Sequence, residues 1–213
     1  DDINTDDIYY HLEANHKKIY FLPETILKKK YGRIAKNIFA GLDLFPLFPS
    51  NLKLRKPNVF EKNKINIFIS PGSKQTNLYH EILLKINNYS FQNNFAVFTS
   101  VNINPKISNI IKIDGNKGLH NYIFYSDLVI SAAGNIMLET LFFNLKMIVY
   151  CTNPNQITLI DYLKNHDKVF YIKNKDHFSE KLILKFAEAN KKIPRNKNNI
   201  NFCCDKLIDI ILN

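Results

Sequence analysis

The sequence predicts an α/β protein, a doubly wound parallel sheet of Rossmann-like form, on three observations. From about Val59 onward, short β-branched runs alternate with amphipathic segments at the spacing of βαβ units. The runs are apolar almost without interruption, as in Leu128-Val-Ile and Met147-Ile-Val, which suits strands buried on both faces. The chain has 213 residues and 46% hydrophobic content, enough for one core and a smaller appendage.

Taken in order, the first part reads differently from the rest. Thr5 is placed to cap a helix carrying Ile8 and Leu12, and a strand is expected at 18–21. Pro23, Pro46, Pro49 and Pro57 then interrupt the path, so 1–57 is expected to be a remnant of an N-terminal domain with its linker. The main domain is expected over 58–213. Its strands are expected at 65–70, 95–100, 109–113, 128–131, 147–150 and 169–172. Leu78, Ile82 and Ile86 recur as one stripe of a first helix. Further helices are expected at 120–125, 136–143, 157–164, 178–189 and 201–212, with a polar surface loop at 190–199.

Composition narrows the function. The net charge is +10, but lysine is spread along the chain, and the Lys28-Lys29-Lys30 cluster with Arg33 reads as a solvated face. Gly115-Asn-Lys-Gly118 echoes the Gly-x-x-Gly loop of KH domains, yet a β-like run precedes it where that module needs a helix. No nucleic-acid partner is expected. Cys151, Cys203 and Cys204 form neither a disulfide framework nor a zinc pair, which fits a cytoplasmic location. The histidines have no metal spacing, there is no Asp-x-Asp pair, and neither a metal nor another cofactor is expected. No apolar run has membrane-spanning length, and nothing near the start resembles a signal peptide. The chain begins Asp1-Asp2, which is compatible with missing upstream residues.

The informative stretch is Asp127-Leu-Val-Ile-Ser-Ala-Ala-Gly-Asn-Ile-Met-Leu-Glu139. A buried strand ends in small residues and a helix begins at Gly134-Asn135-Ile136. Free amides at such a helix start, helped by its dipole, hold a diphosphate without a lysine. Glu139 lies one turn beyond Asn135. A carboxylate there repels phosphate, so its partner is a neutral pair of donors, and the ribose diol fits. A second junction, Pro71-Gly72-Ser73-Lys74-Gln75, follows the first strand, with Thr76 or Asn77 as helix cap. It is not a P-loop, and no Gly-x-Gly dinucleotide fingerprint occurs in the chain. The third junction is Thr152-Asn153-Pro154-Asn155-Gln156. There Asn155 and Gln156 are candidates for sugar hydroxyls or phosphate oxygens, or serve only as a helix cap.

These loops, in this order, resemble the C-terminal half of glycosyltransferase-B (GT-B) proteins. The similarity is to the UDP-sugar hydrolase of pseudaminic acid biosynthesis and its spore-coat polysaccharide relatives. Pro71-Gly72-Ser73 stands for that family's Gly-Gly-Ser, Gly134-Asn135 to Glu139 for its nucleotide motif, and Asn155-Gln156 for its Asn-Gln pair. The Gly…Glu element also resembles that of MurG-type N-acetylglucosaminyltransferases, and Pro-Gly-Ser-Lys leans toward lipid A disaccharide synthases. Gly41 to Phe48 resembles the family's interdomain segment loosely, with Leu44 in place of tyrosine and Phe48 in place of arginine. The resemblance implies a site for UDP or a UDP-sugar at Gly72, Ser73, Lys74, Gly134, Asn135, Ile136, Glu139, Asn155 and Gln156. The family's base histidine, in a Gly-x-Gly-His loop, has no counterpart: His11 and His16 lie in a pattern without glycines. The catalytic residues are therefore unknown, and a missing N-terminal domain or a partner chain is expected to supply them. The expected activity is UDP-sugar hydrolysis, with a GT-B glycosyltransferase, a split one, or a non-catalytic binding protein as alternatives.

Overall fold

The computed structural model describes residues 18–20, 38–40, 52–72, 76–92, 95–100, 110–114, 118–154 and 156–195. The chain divides into two compact units, one of 1–53 with 201–213 and the other of Leu54–Ile200. In the first, β1 (Lys18–Tyr20) pairs in parallel with β2 (Ile38–Ala40). The expected helices near Thr5 and at 201–212, and the 41–48 segment, lie outside the described residues.

The second unit is built on a 6-stranded sheet, parallel throughout. Its strands are β3 (Ile65–Ser70), β4 (Phe95–Thr99), β5 (Ile110–Lys112), β6 (Leu128–Ala132), β7 (Met147–Tyr150) and β8 (Val169–Tyr171). They lie in the order β5-β4-β3-β6-β7-β8. The chain thus starts in the middle, winds out to one side, then returns to wind out to the other. This is the doubly wound arrangement predicted from the alternation, and each strand falls within about a residue or two of its expected place.

Strand alternation sorts the side chains between the faces. Ile67, Ile69, Val97, Ile130, Ala132, Ile148 and Tyr150 share one core cluster with Tyr79, Ile82, Leu83, Ile86, Ile183, Phe186 and Ala187. That face is covered by α1 (Asn77–Gln92) and α5 (Glu180–Lys191). The opposite face carries Phe98, whose ring stacks on Phe60 at 4.8 Å; Phe60 in turn meets Tyr122 of α2 (Leu119–Tyr125) at 5.6 Å. There Phe124 of α2 also meets Phe143, at the end of α3 (Asn135–Phe142). Helix α4 (Gln156–Leu163) links β7 to β8.

Helix ends follow local chemistry. Thr76 Oγ1 accepts the Tyr79 amide and Ser179 Oγ accepts that of Leu182, each closing a first turn. The Ser179 cap sets the start of α5 at Glu180, two residues later than periodicity alone places it. Phe178 instead ends a short 3₁₀ turn at Lys175–His177, which apolar spacing does not reveal.

At the N-terminal edge of the sheet, buried polar groups are paired. Asn66 exchanges hydrogen bonds with Glu61, Lys64 and Asp127. Asn190, fully buried, donates to the carbonyls of Asp127 and Lys146 and accepts the Lys146 amide. Arg195 donates to the carbonyls of Phe124 and Ser126, satisfying groups freed at the end of α2.

Candidate functional site

Because every strand of the sheet runs the same way, the loops after β3, β6 and β7 emerge at one edge. Connections diverge between β3 and β6, and a crevice at such a switch point is where open α/β sheets take ligands. The predicted residues Gly72, Gly134, Asn135, Ile136 and Glu139 belong to the two loops and the helix that flank it. Ser73, Lys74 and Asn155 lie outside the described residues.

Gly72 and Gly134 differ in why they are glycine. Gly72 has φ +71, and a Cβ there would stand 3.1 Å from the Ala132 Cβ. Its turn therefore needs both the left-handed backbone and the small neighbour. The Gly72 amide also donates to Ser70 Oγ at 3.3 Å. Gly134 has an extended φ of −155°, and a Cβ built there meets nothing within 4 Å. Neither backbone nor packing among the described residues requires glycine at 134, and the position opens onto unfilled space.

Helix α3 starts at once after Gly134, with no side-chain cap. The Leu138 amide reaches the Gly134 carbonyl, while those of Asn135, Ile136 and Met137 have no acceptor among the described residues. Such amides, with the helix dipole behind them, form an anion-binding surface. Asn135 is exposed and Ile136 half-buried at its rim.

Glu139 is half-buried one turn along α3. No lysine, arginine or histidine among the described residues makes an ion pair with it, and burial pushes its carboxyl up to about 7. The group is thus desolvated and open to a neutral donor.

Gln156 is committed differently from the expectation. Its Oε1 accepts both the Thr152 amide (2.8 Å) and the Thr152 hydroxyl (3.2 Å), so it closes its own loop after β7. Only its NH₂ group is left over, and the bonds to Thr152 close the loop rather than cap the helix that Gln156 begins.

Three neighbours escaped sequence reasoning. Tyr150 donates its hydroxyl to the Ser70 carbonyl at 2.9 Å, and Ser131 is the register partner of Ser70. A buried tyrosine at a strand end signals a need for a polar partner, but not which one. His120 sits in the first turn of α2 at the same edge, and burial lowers its pKa, favouring a neutral imidazole. Cys151 follows Tyr150, and burial raises its thiol, disfavouring the thiolate. Among the described residues no cluster of His, Cys, Asp or Glu could hold a metal. No helix among them is long and apolar enough to cross a membrane.

Solved structures with the same architecture clarify the class. The glycosyltransferase of kitacinnamycin superposes with a TM-score of 0.58 at 11% identity, over 91% of this chain and 51% of its own. The glycosyltransferase SnogD from Streptomyces nogalater gives 0.51 at 12%, over 91% of this chain and 49% of its own. What is shared is the fold, a Rossmann-like parallel α/β domain that matches domains of GT-B glycosyltransferases. A protein assigned as a UDP-N-acetylglucosamine 2-epimerase from Listeria monocytogenes also matches, at 0.51 and 14%, over 70% of this chain and 44% of its own. The chain thus spans about half the length of the solved proteins it matches. No protein-family model matches the sequence, and no curated protein matches it significantly. The expected GT-B relationship therefore holds at the level of fold, whereas nothing among these matches singles out a hydrolase or pseudaminic acid chemistry.

Proposed function

We propose that this chain supplies the nucleotide-sugar-binding half of a GT-B glycosyltransferase, with UDP or a UDP-sugar as its ligand. The observation that carries this reading is Glu139, desolvated and without a cation among the described residues, one turn from an uncapped helix start. An acid so close to a phosphate site is unfavourable unless a neutral pair of hydroxyls meets it, as the ribose of a nucleotide does.

In this reading the diphosphate rests on the amides of Asn135 to Met137, with Gly134 leaving room for its oxygens. Ser73 and Lys74 after β3, with Asn155 and the NH₂ group of Gln156 after β7, extend the contacts to phosphate and sugar. When the glycosidic C–O bond breaks, negative charge grows on the leaving diphosphate, and fixed amide dipoles stabilise it without reorganising. The acceptor and the base that deprotonates it belong to the other half of the fold, from an N-terminal domain or a partner chain. The three junctions that resemble UDP-sugar hydrolases support a second reading in which water takes the acceptor's place. Structural likeness to glycosyltransferases favours transfer.

Calorimetry of the full chain against UDP, uridine and inorganic diphosphate tests the proposal. UDP is expected to bind, and Glu139→Ala to weaken UDP and uridine about tenfold while sparing diphosphate, since charge-assisted hydrogen bonds contribute roughly 1.5–3 kcal/mol. Equal losses for UDP and diphosphate would remove the ribose role, and no binding of UDP would remove the function.

A further inference from the structure

The sheet's buried polar side chains are paired almost without exception. Thr99 bonds Tyr79, Thr140 and Ser126 bond helix carbonyls, and Asn66 and Asn190 are fully engaged. Ser131 is the exception: 1% exposed, its Oγ has no hydrogen-bond partner among the described residues. A hydroxyl left so is costly, and alanine would fill the position without that cost.

Its place makes the exception informative. Ile130 and Ala132 point into the core beneath α1 and α5, so Ser131 between them points to the face that α2 and α3 cover. It pairs in register with Ser70, whose hydroxyl accepts the Gly72 amide on that same side. Ser131 thus stands near the end of β6, three residues before Gly134 and the uncapped start of α3, on the sheet face that the Ser70 hydroxyl shares. We infer that Ser131 is a positioning residue for the diphosphate: its Oγ–H is donated to a phosphate oxygen, or to a water that oxygen holds, when a nucleotide docks over Gly134. The inference rests on the nucleotide-binding reading above.

The test uses the full chain, with wild type, Ser131→Ala and Ser131→Cys titrated calorimetrically with UDP, inorganic diphosphate and uridine. Ser131→Ala is expected to lose about tenfold in affinity for UDP and diphosphate, the loss of one hydrogen bond to a charged group, and nothing for uridine. Its unliganded Tm should be unchanged or higher, because an unpaired hydroxyl is gone. Ser131→Cys, similar in size but a weak donor, should lose affinity in the same direction. Wild-type affinity for diphosphate in Ser131→Ala overturns the inference. So does an equal loss for uridine, which would report a distorted crevice, or a lowered unliganded Tm, which would report a structural partner. If wild type itself fails to bind UDP, the nucleotide reading falls and this inference with it.

Discussion

The hydroxyl of Tyr150, the last residue of β7, donates to the carbonyl of Ser70, the last residue of β3, across the intervening strand β6. Ala132, the register partner of Tyr150, lies between them and also sits against Gly72. One phenol therefore ties together the strand ends that frame the crevice, in the core shared with α1 and α5.

Tyr150→Phe keeps the ring and removes only this tie. The expected cost is about 1 kcal/mol, typical of one buried hydrogen bond, plus weaker nucleotide binding as the two loops loosen. Urea denaturation monitored by circular dichroism reads the first effect and UDP titration the second. A variant as stable as wild type would show that the hydroxyl contributes nothing to holding the strand ends.

Gly72 and Gly134 should respond oppositely to alanine. At Gly72 the left-handed backbone and the Ala132 Cβ at 3.1 Å both resist a methyl, so Gly72→Ala should cost about 1–2 kcal/mol. At Gly134 the methyl meets nothing within 4 Å, so Gly134→Ala should leave unliganded stability near wild type and depress nucleotide affinity. Melting curves with and without UDP separate the two. Similar destabilisation in both variants would argue against a ligand-side role for Gly134.

The parallel α/β class and the places of its strands could be anticipated because they depend on patterns that sequence displays openly: continuous apolar runs, helical stripes, and small residues at the junctions. Gly134, Asn135 and Glu139 were legible for the same reason, since a strand end, a helix start and a one-turn spacing place them together. The ties across the sheet were not legible. Tyr150 meets Ser70 80 residues away, and Asp127 reaches Asn66 at a distance of 61 in sequence. Such pairings depend on which strands become neighbours. Gln156 reads from sequence as a sugar contact or part of a helix cap, whereas in the fold its Oε1 is taken by Thr152 of its own loop, a partner that residue type alone does not disclose.

Asn190 offers a stability control remote from the crevice. It is fully buried and joins Asp127, at the start of β6, to Lys146, just before β7, through three hydrogen bonds. Asn190→Ala leaves those backbone groups unpaired, and a loss of about 2–4 kcal/mol is expected. Under conditions where the variant remains folded, UDP affinity should match wild type. A small loss, under about 0.5 kcal/mol, would mean that water replaces the side chain at little cost.

Glu139 supplies the pH dependence. Burial raises its carboxyl from 4.5 to about 7, so the folded protein holds a proton there that the unfolded chain releases. The contribution to stability is fullest below the unfolded pKa and declines as pH rises through the interval up to about 7. Glu139→Gln abolishes that decline, and by pH 8 it should be more stable than wild type by about 1–2 kcal/mol, after allowance for partial solvent access. Binding should run the other way. A ribose diol donates to the carboxylate and favours its charged form, so affinity for UDP-N-acetylglucosamine, used as a probe, should rise between pH 5.5 and 8 in wild type. Glu139→Gln should flatten that rise. The probe's bridging diphosphate has no group that titrates in this range, so calorimetry in buffers of different ionisation enthalpy would trace proton release to the protein. Identical pH profiles for wild type and Glu139→Gln would separate Glu139 from the ligand altogether.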